Sequence, residues 1–322
     1  MHAVRIHETG APDVLRYEEV ETPKPGAGQV RIQLKAIGIN FIDVYHRSGL
    51  YKLPLPAMLG REGAGVVDAV GEGITNVHIG DRVAYVLDAP AYAEYAIIPA
   101  TRVVPVPKSV SFEDAAAVLL QGLTAHYLCF STYPLKEGQW TLIHAAAGGA
   151  GQLTVQMAKI AGAHVIGTVS NEEKAKVARD IGADEVIIYT QADFVSEVKR
   201  ITGGKGVPVV YDSVGKDTYE GSLNCLAPRG MLVLWGNASG AVPPIDPLTL
   251  MNKGSLYMTR PTLGHYIANH AEYEWRAADL FNWLAQGKVR VRIDRTFPLK
   301  DVIDAHRYLE SRAAMGKLLL IP

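Results

Sequence analysis

The stretch HAAAGGAGQ at residues 144–152 decides how the rest of the chain is read. A glycine cluster is either a flexible turn or a backbone surface open to a closely held ligand, and its neighbours separate the two. The run WTLIH (140–144) before it has the character of a buried strand. After it, Leu153, Val155, Met157 and Ile160 mark the apolar positions of a helix. Strand, glycine turn and helix together are the context of a dinucleotide fingerprint, and Ala145-x-x-Gly148-x-x-Gly151 is a shifted variant of its G-x-G-x-x-G spacing. Gly148 and Gly149 then let the backbone bend and approach a pyrophosphate. Gly151 lets helix and strand pack closely, and the helix N-terminus offers free N–H groups and the positive end of its dipole. No Gly-Lys-Ser/Thr follows, so this is not a P-loop.

Strand-like and helical runs alternate around this turn. Strands are expected at 140–144, 164–168, 185–188, 207–212, 231–235 and 256–259, with helices at 152–161, 172–181, 194–201 and 218–226. About six strands in such alternation predict an α/β fold, a doubly wound parallel sheet of Rossmann type. A helix over 112–130, with Gly122 as its weak point, leads into it. Earlier, β-like runs at 29–39, 63–70 and 82–87 are punctuated by turn residues, as in a compact β-rich domain. The tail shows a helix over 275–286, a strand-like run at 289–293, a helix over 299–311 and an apolar end at 318–321. No further βαβ unit fits there, so the tail is expected to pack on the first domain. A chain of 322 residues exceeds what one core usually supports. Two domains are therefore expected: 1–124 with 264–322, and 125–263.

The end of the second strand chooses the nucleotide. NAD sites usually place an acid there, about 20 residues past the glycines, to hold the ribose 2′-hydroxyl. Here HVIGT runs into Val169-Ser170-Asn171 with no acid at its tip, and Lys174 follows one helical turn later. Glu172 and Glu173 read as first-turn residues favoured by the helix dipole. Lys174 is either a 2′-phosphate ligand or a solvated helix residue; the first reading predicts NADPH.

Composition excludes other classes. The formal net charge is −1 and no stretch concentrates Lys and Arg, so nucleic-acid binding is not expected. No apolar run is long enough to span a bilayer, and MHAVRIHETG lacks the apolar core of a signal peptide. The two cysteines, Cys129 and Cys225, form neither a disulfide framework nor a zinc motif, which points to a cytoplasmic location.

With these pieces placed, the chain resembles the zinc-free quinone oxidoreductases, the branch of the medium-chain dehydrogenase/reductase superfamily to which zeta-crystallin belongs. The likeness rests on NFIDVYHRSGLY (40–51), GREGAGV (60–66), GDRV (80–83), the glycine turn, VVYDSVG (209–215), GNASG (236–240), GSLYMTRP (254–261) and ESR (310–312). It implies a GroES-like β-rich substrate domain beside the Rossmann domain, NADPH in the cleft between them, and a homodimer. It also implies a set of cofactor contacts. Asn40, Phe41, Ile42, Asp43 and Tyr45 would lie along the nicotinamide, and Tyr127 would approach from the helix before the Rossmann domain. Gly149 and Ala150 fall on the pyrophosphate turn with Gly148. Ser170, Lys174 and Tyr189 would surround the 2′-phosphate. Ser213, Gly236, Asn237, the run Arg260, Pro261, Thr262 and Leu263, and finally Arg312 would complete the envelope. Where relatives carry Thr this chain has Arg61, and where they carry Lys it has Gln121. Zinc-dependent cousins carry Gly-His-Glu where this chain has Gly60-Arg61-Glu62, and a guanidinium cannot ligate metal. No metal is expected.

Quinone reduction needs a hydride donor, two oriented rings and exclusion of water, not a dedicated acid, because solvent protonates the reduced oxygens. Asn40, Tyr45 and Tyr51 are the candidates to line such a site, Asn40 by hydrogen bonding and the tyrosines by stacking or donation. The same residues could equally be turn residues packed at a domain edge, and Asp43 could be a structural turn former. His46 and His144 lack base-spaced partners and read as structural. Two other functions share much of this sequence logic: an NADPH-dependent reductase of activated C=C bonds, such as alkenals, enones or enoyl thioesters, and a non-catalytic NADPH- or RNA-binding protein.

Overall fold

The computed structural model describes residues 1–311 and 313–322. The chain separates into two compact units, residues 1–123 with 268–322, and residues 124–267.

The first unit is β-rich. Strands β1 (His2–Ile6) and β2 (Leu15–Glu19) form an antiparallel pair. β3 (Gln29–Ile39) is the spine of the larger sheet. Its alternation buries Val30, Ile32 and Leu34, and a register shift between Leu34 and Ala36 then lets Ala36, Ile37 and Ile39 all reach the core. Helix α1 (Phe41–Arg47) leaves its end directly. There follow β4 (Ala57–Met58), β5 (Glu62–Val70), β6 (Arg82–Val86), β7 (Tyr95–Pro99) and β8 (Val104–Pro105). β5 pairs with β3 and β6, and β7 with β3, all antiparallel.

Helix α2 (Phe112–Tyr127) runs through Gly122 without a break. A Cβ at that glycine would come within 2.6 Å of Leu280, so it serves close packing. The helix expected to reach residue 130 instead ends at Tyr127, where residues 128–132 widen into a π turn.

The second unit carries β9 (Trp140–Ile143), α3 (Gly149–Ile160), β10 (His164–Val169), α4 (Glu172–Asp180), β11 (Glu185–Ile188), α5 (Phe194–Ile201) and β12 (Val207–Asp212). It continues with α6 (Tyr219–Asn224), β13 (Leu226–Leu234), α7 (Pro247–Asn252), β14 (Tyr257–Thr259) and α8 (Leu263–Tyr266). The six strands pair in parallel in the order β11-β10-β9-β12-β13-β14. The winding direction reverses between β9 and β12, the point at which such sheets hold ligands at their carboxyl ends. HAAAGGAGQ leaves β9 at that point. The helix expected over 218–226 is shorter, because Leu226 already pairs with Val207 as the first residue of β13.

The tail returns to the first unit as α9 (His270–Ala285), β15 (Ile293–Pro298), α10 (Val302–Glu310) and β16 (Lys317–Ile321). α9 starts five residues before the expected position, since the Asn269 side chain caps it by accepting from Ala271 N–H at 2.8 Å. The strand expected at 289–293 is displaced to β15. Its register comes from β16, which also pairs antiparallel with β3, and local periodicity carries no information about that partner.

Candidate active site

The turn after β9 is built for close approach. Ala145 takes φ +52°, and Gly148, extended at φ −74° and ψ 162°, stands at the N-cap of α3 with no side chain to satisfy the first turn. The N–H groups of Gly149, Ala150 and Gly151 therefore have no intrahelical acceptor. A Cβ on Gly151 would lie 2.1 Å from the Ala145 carbonyl oxygen. Beneath the turn, buried His144 sits 2.8 Å from Thr168 Oγ1 and 3.0 Å from Ser222 Oγ. Ser222 Oγ donates to Asp212 Oδ2 at 2.8 Å, whose Oδ1 accepts from Val214 and Gly215 N–H. Burial lowers the His144 pKa, with Asp212 opposing. The imidazole braces β9, β10 and β12 below the turn.

At the end of β10 the nearer of the two following carboxylates is engaged along α4. Asn171 caps α4 by accepting from Lys174 N–H at 2.9 Å, and Glu172 pairs with Arg179 at 3.7 Å. Tyr189, half exposed just past β11, donates its N–H to Val169 O at 3.0 Å. Thr190 Oγ1 donates to Ser170 O at 2.9 Å. Ser170, Lys174 and Tyr189 thus stand at the carboxyl ends of two neighbouring parallel strands. The loops after β12 and β13 meet closely: a Cβ on Gly236 would lie 2.3 Å from Ser213 O, and Ala238 N–H donates to that oxygen at 3.2 Å. This brings Ser213, Gly236 and Asn237 together.

Arg260 Nη1 donates to Leu234 O at 3.2 Å, and Pro261, Thr262 and Leu263 lead from there into α8. Tyr127 is buried and stacks on Tyr266 at 4.2 Å and 7°; burial pushes its hydroxyl pKa up. Its ring is thus engaged in packing within the second unit. Arg312 lies outside the described residues.

In the first unit the start of α1 is tied into a buried polar network. Asn40 N–H donates to Asp43 Oδ2 at 2.9 Å, which also accepts from the Tyr92 hydroxyl at 3.0 Å. Burial pushes the fully enclosed Asp43 carboxyl up to about 7, against these donors and the Lys317 ammonium. His306 links Tyr92 (3.0 Å to Nε2) to Arg47 (2.9 Å to Nδ1), and Arg47 forks onto Glu310. Burial first and Arg47 second pull His306 down to about 3.

The Asn40 side chain, 5 % exposed, is just as constrained. Its Nδ2 donates to Glu62 Oε1 at 2.7 Å, and its Oδ1 accepts from Lys317 Nζ at 2.7 Å and Gln121 Nε2 at 3.4 Å. Lys317 and Glu62, both fully buried, also pair directly, and Glu62 Oε2 accepts from Leu120 N–H at 2.7 Å. Asn40, expected to act on a ligand by hydrogen bonding, therefore presents little more than one amide hydrogen to it.

On the outer side of α1, Phe41, Tyr45, Tyr51 and His46 form an aromatic group. Tyr45 and Tyr51 meet edge-on at 5.3 Å, and Arg61 Nη2 donates to His46 Nε2 at 3.1 Å. Sequence reasoning missed Glu62, Lys317, Tyr92 and His306. The one available signal was a lysine opening the apolar run LLLI. His306, on an amphipathic helix, gave none.

A β-rich unit and, in the same chain, a six-stranded parallel sheet with this turn at its switch point define the medium-chain dehydrogenase/reductase class. Two family descriptions match, "Alcohol dehydrogenase GroES-like domain" over residues 26–108 and "Zinc-binding dehydrogenase" over residues 149–283. The chain is 47% identical over 315 residues to a quinone oxidoreductase of Pseudomonas aeruginosa, covering 97% of each. It is 44% identical to a 2-haloacrylate reductase of a Burkholderia species, covering 99% of this chain and 98% of that one. The solved structure of Escherichia coli quinone oxidoreductase complexed with NADPH superposes with a TM-score of 0.98 at 46% identity over the whole of both chains. The chain belongs to the quinone oxidoreductase family. Despite the second family description, the residues do not fit a zinc ion: Arg61 stands at the ligand position of the zinc enzymes. Among the described residues no three His, Cys, Asp or Glu side chains gather to hold a metal.

Proposed function

We propose that the chain is an NADPH:quinone oxidoreductase working without metal. The observation that carries the reading is the acid-free end of β10, with Lys174 on the first turn of α4 and Glu172 turned to Arg179, beside a turn cut for a pyrophosphate. The relatives' names supply the acceptor, and the NADPH complex of one of them supports the cofactor. Gly148, Gly149 and Ala150 would hold the pyrophosphate by backbone N–H groups. Ser170, Lys174 and Tyr189 would take the 2′-phosphate. Ser213, Gly236, Asn237 and the run 260–263 would close over the rest. Bound NADPH supplies the hydride. The chain's part is orientation and exclusion of water: Tyr45 and Tyr51 offer rings against the acceptor, and the remaining Asn40 amide hydrogen a donor. Solvent supplies the proton to the reduced oxygen.

NADPH absorbance with 1,4-benzoquinone, an α,β-unsaturated aldehyde and an NADH control tests this. Quinone-dependent consumption that prefers NADPH is the expected result; activity confined to the aldehyde transfers the function to C=C reduction. Lys174→Ala is expected to raise the NADPH Kd about tenfold while leaving that for NADH unchanged, since one charge-assisted phosphate contact is lost. Equal effects on both nucleotides in a fluorescence titration would remove Lys174 from the site.

The assembly we infer is a homodimer. β14 is an edge strand whose Tyr257 and Met258 are 60% and 37% exposed, and Leu248 and Met251 of α7 are exposed as well. An unpaired edge with apolar side chains favours pairing with a second copy. Sedimentation equilibrium should return twice the mass of one chain. A cytoplasmic location is part of the same reading: both cysteines are free and buried, and among the described residues no helix is long and apolar enough to cross a membrane.

A further inference from the structure

We infer that Arg61 recognises an anionic substituent, a carboxylate or sulfonate, on the electron acceptor. The inference rests on reading the outer side of α1 as the acceptor site. Side chains alternate at the start of β5, so Glu62 enters the core while Arg61 projects to the opposite side and remains half-buried. Other arginines of the unit are already engaged; Arg82 donates to Val110 O at 2.6 Å and lies over the Phe112 ring. Arg31, Arg47 and Arg102 each carry a carboxylate, Asp68, Glu310 and Asp88 respectively. Arg61 carries none among the described residues; its side-chain hydrogen bond goes to an imidazole. A guanidinium only donates, so His46 Nε2 accepts, and His46 Nδ1 keeps its hydrogen toward Tyr51 O at 3.3 Å. A neutral partner leaves the positive charge uncompensated and most of its five N–H donors available.

That charge stands where planar molecules would be held. His46 links Arg61 to Tyr51, which meets His46 edge-on at 5.8 Å and Tyr45 at 5.3 Å. A fixed, half-desolvated guanidinium beside aromatic faces matches a planar acceptor with an acidic group, and its fork fits a carboxylate or sulfonate bidentately. The reaction balance is unaltered. NADPH gives two electrons and one hydrogen nucleus and becomes NADP+, solvent gives one proton, and the quinone becomes the hydroquinone. For an unsaturated acid the hydride goes to the β-carbon and the solvent proton to the α-carbon. Pairing with Arg61 would also offset the carboxylate charge that opposes hydride addition.

The test compares kcat/KM for 1,4-naphthoquinone-2-sulfonate with that for 1,4-naphthoquinone, and for 2-chloroacrylate with its methyl ester. Wild type, Arg61→Thr and Arg61→Lys are measured. Intrinsic reactivity cancels when the anionic-to-neutral ratio is compared between variants. In Arg61→Thr the ratio is expected to fall about tenfold, through KM, in at least one pair, and Arg61→Lys should restore much of it. The pair that responds shows whether the anion sits on a quinone or on an unsaturated acid. An unchanged ratio in both pairs, or an equal loss on neutral and anionic members, overturns the inference and leaves Arg61 a packing residue. Absence of turnover with all four acceptors in the wild type overturns instead the reductase reading beneath it.

Discussion

Lys317→Met is expected to destabilise the protein by about 3–5 kcal/mol, because it removes a cation bonded to a fully buried carboxylate while leaving that carboxylate in place. Lys317 and Glu62 have no solvent exposure, and the pair joins β16 to β5 across 255 residues of sequence. In the substituted protein Glu62 keeps, among the described residues, the Asn40 amide and the Leu120 N–H as donors. The effect is one of imbalance and not of lost attraction alone. Glu62→Gln combined with Lys317→Met should therefore recover most of the stability, leaving neutral groups of similar shape. Urea unfolding followed by tryptophan fluorescence measures both. A double variant no more stable than Lys317→Met would show that the ammonium contributes through packing rather than charge. Because both groups hold Asn40, the single substitution should also lower turnover more than it weakens NADPH binding.

Gly151→Ala and Gly148→Ala are expected to fail in different ways, although they lie only three positions apart. A methyl at Gly151 would meet the Ala145 carbonyl oxygen at 2.1 Å, a backbone atom that cannot move without opening the turn. Overpacking of that kind costs about 1–3 kcal/mol, and the displaced turn should weaken NADPH at least about tenfold. At Gly148 the nearest atom to an added Cβ is the same oxygen at 3.2 Å, and the backbone is extended, so stability should change little. Its cost falls on the ligand, since the methyl stands where the pyrophosphate would approach the N-terminus of α3. Thermal unfolding and NADPH titration of the two variants separate the roles. A Gly148→Ala protein that binds NADPH as wild type does would move the pyrophosphate away from this turn.

What could be read from the chain alone is what local rules govern. Apolar spacing at periods of two and 3.6 shows strands and helices within a few residues, and their alternation is enough for a parallel doubly wound sheet. The glycine spacing and the missing acid after HVIGT are equally local, so the nucleotide turn and the preference for a 2′-phosphate could be read before any coordinates. Partner choice between distant segments follows no such rule. β15 begins where a strand was expected to end, because β16 sets its register. Tyr127 stacks on Tyr266, 139 positions along the chain, on a ring whose proximity no spacing announces. Asn40 and Arg61 exchange prominence for the same reason. Burial gathers Glu62, Lys317 and Gln121 around the Asn40 carboxamide, while strand alternation turns Arg61 the other way, onto the His46 imidazole and, among the described residues, without an acid. Those outcomes depend on which surfaces fold together and exclude water, and that is a property of the packed chain.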